Sequence, residues 1–220
     1  MAAACLYIRQ DPNLSSDSRA GLTVTSLEVW RGERRLFSDL SFELQPGQAS
    51  YITGPNGSGK TSLLRVLAGL SVPAQGVVTW DGASVSRLAP ELRAAIAYQG
   101  HLEGLKKDLT VTENLAFYRA LWVGDGDIEP LLDELRLDEF ADREVRYLSA
   151  GQRRRVALSC MRLRRARLWL LDEPLTNLDA AGAEVISAWL REHTAAGGTA
   201  VIATHQTDRV QGTAALEVEL

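Results

Sequence analysis

GPNGSGKT, residues 54–61, decides the fold. It sets Gly54, Gly59, Lys60 and Thr61 into the spacing G-x-x-x-x-G-K-[ST]; the apolar stretch ASYIT precedes it, and Leu63, Val66, Leu67 and Leu70 follow at helical spacing. Strand, glycine-rich loop and helix in that order make a cradle for phosphate oxygens. The glycines let backbone amides turn inward, the helix starting near Lys60 adds its positive end, Lys60 brings a mobile point charge, and Thr61 offers a hydroxyl to Mg²⁺. The candidate segment is Gly54, Pro55, Asn56, Gly57, Ser58, Gly59, Lys60, Thr61 and Ser62. A plain glycine turn with a chance lysine is the alternative, and both flanking elements speak against it.

Upstream of the loop, LTVTSLEVW (22–30) and RLFSDLSFEL (35–44) carry alternating apolar positions such as Leu40, Phe42 and Leu44, and PGQ interrupts them at 46–48. These are β-strands. Downstream, GVVTWDGASV (76–85) reads as a hairpin turning at Asp81-Gly82. From Pro90 to about Ser149 the candidates are mostly helical, including VTENLAFYRALW (111–122) and DIEPLLDELRL (127–137). An arginine-rich helix, the strand LWLLDEP (168–174), a helix with Val185, Ile186, Trp189 and Leu190 on one face, and the strand TAVIATH (199–205) come next. Leu216, Val218 and Leu220 alternate as an edge strand would. Strands alternating with helices predict an α/β fold with a mainly parallel sheet covered on both faces, an antiparallel β portion and a small helical insert, and the phosphate loop makes its core resemble that of P-loop NTPases. Residues 1–20 read as a loose tail, 21–220 as the domain, and about 90–160 as its helical subdomain.

A chain of 220 residues with 45% hydrophobic and 24% charged residues has room for one large domain with a real core, which excludes disorder throughout. A net charge of −4 gives no polycation field for nucleic acid, although a local basic surface is compatible with it. No apolar run reaches the roughly 18–20 residues of a membrane span, and no signal-peptide pattern opens the chain, so a cytosolic location is expected. Cys5 and Cys160 support neither a disulfide framework nor a metal site, and Cys160 reads as a small buried core residue.

LWLLDEP delivers two carboxylates at the C-terminal end of a strand, where open α/β sheets place ligands. Alternation sends Asp172 and Glu173 in different directions, so Asp172 is free to hold Mg²⁺ through its water shell while Glu173 polarises an attacking water. A helix cap is the plainer reading of two acids before a proline, and the phosphate loop upstream disfavours it.

Together with LSAGQRRRVAL (148–158), TNLD (176–179) and VIATH (201–205) in this order, these motifs make the chain resemble ATP-binding-cassette ATPase subunits over nearly its full length after residue 20. The resemblance implies that water attacks the γ-phosphate of ATP, with Mg²⁺, Lys60, Glu173 and His205 serving the reaction. It implies that Ser149, Ala150, Gly151 and Gln152 complete the ATP site of a second copy in a head-to-tail dimer. Ala150 departs from the family's glycine and requires a negative φ there. Asn177, Leu178 and Asp179 match the loop through which two such sites communicate, His205 the histidine that meets the γ-phosphate, and Trp30 the aromatic that stacks on adenine. The family's γ-phosphate-sensing glutamine falls on His101 by register in IAYQGH, with Gln99 as the other candidate. Arginines 153–155, 162, 164, 165 and 167 form either a solvated helix face or packing near the nucleotide or an acidic partner.

GHLEGLKKDLTVTENLAFY (100–118), the histidine at 101, LSAGQRRRVAL and RARLWLLDEPLTNLD (165–179) further resemble the haem-exporter ATP-binding type of cytochrome c maturation. That implies separate transmembrane subunits as partners, a place at the cytoplasmic face of the bacterial inner membrane, and hydrolysis linked to haem export or to release of a haem-loaded chaperone. No nucleic acid partner is expected. His193, near a helix end, reads as ordinary solvated packing and not as a haem ligand. The ATPase of a different transporter shares every one of these catalytic residues; a soluble cassette protein acting on ribosomes or DNA fits the acidic balance less well.

Overall fold

A computed structural model of the chain describes residues 8–10, 21–87, 90–122, 126–205 and 214–220. Its strands are β1 (Ile8–Gln10), β2 (Leu22–Arg31), β3 (Arg34–Leu44), β4 (Ala49–Thr53), β5 (Gln75–Trp80), β6 (Ala83–Ser84), β7 (Ile96–Gln99), β8 (Leu168–Asp172), β9 (Thr199–Ala203) and β10 (Ala214–Glu219). Its α-helices are α1 (Lys60–Leu67), α2 (Pro90–Ala94), α3 (Val111–Leu121), α4 (Glu129–Glu134), α5 (Ala150–Arg162) and α6 (Ala180–Ala195). Six strands form a sheet in the order β1-β10-β4-β9-β8-β7, parallel except at β1. The other four, β3-β2-β5-β6, form an antiparallel sheet.

Every residue of β8 and β9 is buried, which is why LWLL and AVIA are unbroken apolar runs, whereas β2 and β3 mix buried and exposed positions along the strand. The two-residue period divides β8 between two cores. Trp169 and Leu171 join Tyr51 and Ile202 against α5, α6 and the helical insert. Leu168 and Leu170 join Ile52 and Val201 against α1 and the antiparallel sheet. The parallel sheet is thus covered on both faces, as expected. The hairpin also turns where the sequence placed it, with Asp81 and Gly82 at φ 50° and 77° and Trp80 pairing with Ala83.

Four expectations need correction. Residues 8–10, inside the expected tail, form β1 and pair antiparallel with β10, Ile8 opposite Val218; Cys5 and the rest of residues 1–20 lie outside the described residues. Consequently β10 is not the edge strand: one of its flanks is paired with β4 and the other with β1, so its backbone groups are satisfied on both sides. Inside the span 90–160, β7 is a strand of the parallel sheet, paired with β8 from Ile96↔Leu168 to Gln99↔Leu171. Four residues are too few for periodicity to separate strand from helix.

His193 is the fourth. Its ring stacks on Trp169, with centroids 4.0 Å apart and planes 10° from parallel, and a Cβ added at Gly198 would lie 2.3 Å from that ring. Burial pushes its pKa down to about 4 from 6.5, and the nearby Arg162 guanidinium adds to the fall, while hydrogen bonds to backbone oppose it. The unfolded chain therefore binds a proton that the folded chain refuses between pH 6.5 and 4. His193 contributes its full stability above pH 6.5, and as pH falls toward 4 up to about 3 kcal/mol is lost. His193→Phe, which keeps a ring on Trp169, removes this dependence: the stability gap between wild type and variant at pH 7 should shrink or reverse at pH 4.5 in thermal melts. A gap independent of pH would contradict the assignment.

Candidate active site

The C-terminal ends of four parallel strands converge on one cleft. The phosphate loop follows β4, His101 lies two residues beyond β7, Asp172 ends β8 with Glu173 next, and His205 lies two residues beyond β9. The cleft has a volume of about 390 Å³ and is lined by Arg31, Leu36, Asn56, Gly57, Gly59, Lys60, Thr61, Ser62, His101, Asp172, Glu173, Thr176 and His205.

Gly59 stands at φ 121°, and a Cβ there would lie 3.0 Å from the Phe37 ring, so the last loop residue before α1 must be glycine. Lys60 is buried. Its Nζ donates to the carbonyls of Gly54 at 2.7 Å and Pro55 at 3.2 Å and lies 3.0 Å from His205 Nε2. Burial lowers its pKa, while Glu173 and Asp172 pull it back up.

Thr61 Oγ1 donates to Asp172 Oδ2 at 2.8 Å, and Asp172 is only 1% exposed. A hydroxyl and a buried carboxylate side by side at the cleft are hard oxygen donors few enough in number for Mg²⁺, which keeps several waters and takes the rest of its ligands from phosphate. The residues present therefore fit that ion. His101 Nε2 lies 3.4 Å from the same Oδ2 and its side chain is largely exposed.

Glu173 takes a left-handed backbone conformation, φ 49°, and its N–H donates to Ala203 O at 2.9 Å. A non-glycine residue in that region stores strain that the surroundings must hold in place. Its Oε1 is buried without a hydrogen-bond partner, 3.5 Å from His205 Nε2. His205 Nε2 also lies 2.9 Å from Asn56 Oδ1. With Nδ1 protonated, Nε2 accepts from Lys60; with Nε2 protonated, it donates to Asn56. The tautomer therefore chooses the partner.

Gln99 and His101 separate clearly. Gln99 is buried, its amide donates to the carbonyls of Gly100 at 3.2 Å and Leu102 at 3.4 Å, and it lines the neighbouring cavity but not the cleft, whereas His101 lines both. His101 faces the cleft.

Other sequence candidates lie outside the cleft. Trp30 is 46% exposed and donates from Nε1 to Glu28 Oε1 at 2.5 Å; its neighbour Arg31, on the opposite side of the strand, lines the cleft. Ser149 caps α5: its Oγ accepts from Gln152 N at 3.2 Å while Gln152 Oε1 accepts from Ser149 N at 2.8 Å. Ala150, the first residue of α5, is not among the positive-φ residues, so alanine suits it. A Cβ at Gly151 would meet Asn177 O at 2.6 Å, a close approach that requires glycine. Asp179 caps α6 through Gly182 N at 2.9 Å and pairs with Arg155 at 2.7 Å; both contacts lower its pKa, the backbone one more.

The arginine run is not one solvated face, although Arg165 and Arg167 are exposed. Arg154 is 4% exposed and donates to the carbonyls of Gly100, Asp172, Glu173 and Pro174. Arg162 lies over both Trp169 and Trp189 and pairs with Glu192, and Arg167 pairs with Asp81. Sequence reasoning missed Arg31, and for Arg154 it left open the packing near the nucleotide that the structure shows. The signal for Arg154 was present, because it shares the helical spacing i, i+3, i+4, i+7 with Ala157, Leu158 and Met161, all buried. Cys160 is buried as expected, and burial raises its thiol pKa far above the ordinary range.

A family model described as ABC transporter matches residues 37–176. A protein of Nitrosomonas europaea, "Cytochrome c biogenesis ATP-binding export protein CcmA", is 48% identical over 84% of this chain and 88% of its own length. Its namesake in Escherichia coli O157:H7 is 44% identical over 84% of this chain and 89% of that protein. Among solved structures, one titled "Structure of ATP binding subunit of ABC transporter" superposes with a TM-score of 0.81 at 25% identity, covering 91% of this chain and 86% of that one. A dimeric ATP-binding cassette bound to ADP and Pi gives a TM-score of 0.72 at 22% identity over 86% of this chain and 90% of that one, a likeness of fold.

Proposed function

The chain belongs to the ABC transporter family, and from that premise we propose that it is the ATP-hydrolysing subunit of a membrane complex for cytochrome c biogenesis. The step it powers is haem export or release of a haem-loaded chaperone. The observation that carries the ATPase reading is the convergence of Lys60, Thr61, Asp172, Glu173 and His205 on one cleft; the role in cytochrome c biogenesis is supported by the 48% identity to the export protein of Nitrosomonas europaea.

In this reading the loop amides between Gly54 and Ser62 and the positive end of α1 hold the triphosphate, and Lys60 leaves the loop carbonyls for its oxygens. Thr61 and Asp172 would hold Mg²⁺, which when bound neutralises charge on the β- and γ-phosphates. Glu173 accepts a hydrogen bond from the attacking water through its otherwise unpartnered Oε1 and orients it in line with the γ-phosphate. His205 donates toward the developing charge, and His101 meets the phosphate end beside Asp172. Ser149, Gly151 and Gln152 lie outside this cleft, and we assign them to the ATP of a second copy, with Asp179 and Asn177 beside them. Sizing of purified Glu173→Gln tests this: a dimer with ATP and Mg²⁺ and a monomer with ADP are expected, and a monomer in both would contradict it.

The purine lies toward Leu36 and Arg31, whose planar guanidinium can stack on it. Arg31→Ala should raise the KM for ATP about fivefold, from loss of about 1 kcal/mol, while Trp30→Ala stays within about twofold. The reverse order would restore Trp30 to the adenine.

Among the described residues no helix is long and apolar enough to cross a membrane; in this reading the passage belongs to separate transmembrane subunits, and this chain sits on them at the cytoplasmic face of the inner membrane. We place their dock at the cavity of about 360 Å³ between β7 and α3, lined by Tyr98, Leu102 and Trp122 among others. Leu102 is 89% exposed, and Phe117 and Leu121 are exposed nearby on α3, an apolar surface that a membrane subunit would cover. Leu102 adjoins His101, so contact there reaches the cleft through one peptide bond.

A further inference from the structure

Arg154 lies on α5, five residues after Ser149, and its guanidinium is spent entirely on backbone. Nη2 donates to Asp172 O at 2.7 Å and Glu173 O at 2.9 Å, Nε to Pro174 O at 3.3 Å, and Nη1 to Gly100 O at 3.0 Å. Among the described residues no carboxylate hydrogen-bonds or pairs with it, so the cation is buried against four carbonyls. Three of these belong to the turn in which Glu173 holds its left-handed φ of 49° and Asn177 its φ of 65°. The fourth belongs to the residue before His101. A second contact joins the same two elements, since Asn177 O approaches Gly151 of α5 too closely for any Cβ.

We infer that Arg154 is a positioning residue that fixes the Glu173 turn to α5 and to the His101 loop, so that a shift of the Ser149 end of α5 moves the Glu173 carboxylate within the same chain. The inference rests on the reading above, in which Glu173 directs water and Ser149 meets the ATP of a second copy. The guanidinium suits this task because its fixed fork engages several carbonyls in a plane at once. Lysine, a single point donor on a flexible stem, cannot span from Gly100 to Pro174. A displacement of Glu173 by a fraction of its reach to the water costs turnover and leaves phosphate binding by Lys60 in place.

The test uses the full chain with Arg154→Gln and Arg154→Lys. Steady-state kinetics should show kcat lower by about 10- to 100-fold in both, with the KM for ATP within about threefold. Hydrogen exchange read by mass spectrometry should be faster by about tenfold or more in peptides covering 172–178 and 99–104, and unchanged over α1 and β9. Wild-type kcat in both variants overturns the proposal, as does faster exchange spread evenly over the molecule, the mark of a merely structural arginine. If Arg154→Gln does not fold, Arg154→Lys, which keeps the charge, decides by the same two readouts. Should the wild-type chain fail to hydrolyse ATP, the ATPase reading falls, and the exchange pattern alone still decides whether Arg154 fixes the turn.

Discussion

Glu173→Gln is expected to lower steady-state ATP hydrolysis by about 10³-fold while leaving ATP affinity within about threefold of wild type. The exchange replaces one carboxylate oxygen by an amide of nearly the same shape. The backbone turn at φ 49°, the N–H to Ala203 O bond and the Arg154 contacts to the carbonyls of 172–174 do not involve that oxygen and should survive. What is lost is the negative charge on a buried oxygen that has no hydrogen-bond partner of its own and lies 3.5 Å from His205. A neutral amide can neither polarise water nor receive its proton. Affinity should hold or rise, because a negative group near the triphosphate has been removed. Phosphate release measured beside fluorescent-nucleotide binding separates the two; turnover unchanged in the purified variant would remove Glu173 from the reaction.

Lys60→Ala should lose both binding and turnover, each by at least about 10²-fold. Lys60 is the buried cation nearest the loop carbonyls of Gly54 and Pro55, and both Asp172 and Glu173 act on its pKa. Without it those carboxylates face the triphosphate uncompensated, and like charges at short range in a partly dry cleft are costly. Glu173→Gln and Lys60→Ala thus give different patterns, binding without turnover and neither. Equal affinity in Lys60→Ala and wild type would mean that the loop at 54–61 is not the phosphate cradle.

The parts of this molecule that could be read in the sequence are those where chemistry demands fixed residues at fixed spacing. Gly59, Lys60 and Thr61 had to stand together on a loop between strand and helix, and Asp172 with Glu173 had to end an apolar strand; the structure brings all of these into one cleft. Unbroken apolar runs announced β8 and β9, and alternation announced β2 and β3. Pairing between distant segments was not legible, because no local pattern says that residues 8–10 will cover β10, or that Ile96–Gln99 will join the sheet and not the helical insert. Register placed His101 ahead of Gln99, and only side-chain direction separates them, Gln99 bonding to its own loop and His101 reaching within 3.4 Å of Asp172. Arg154 was left between a solvated face and packing near the nucleotide, and His193 escaped because polarity was taken as exposure. Their neighbours at helical spacing in one case, and Trp169 with Gly198 in the other, bury them.

If this ATPase drives a membrane complex of cytochrome c biogenesis, it can be recovered with that complex's subunits. Glu173→Gln, purified by an affinity tag from membranes in ATP and Mg²⁺ and analysed by mass spectrometry, should retain membrane subunits of cytochrome c maturation in stoichiometric amount. Stoichiometric recovery of an unrelated permease, with those subunits absent, would contradict the assignment while leaving the cleft and its chemistry intact.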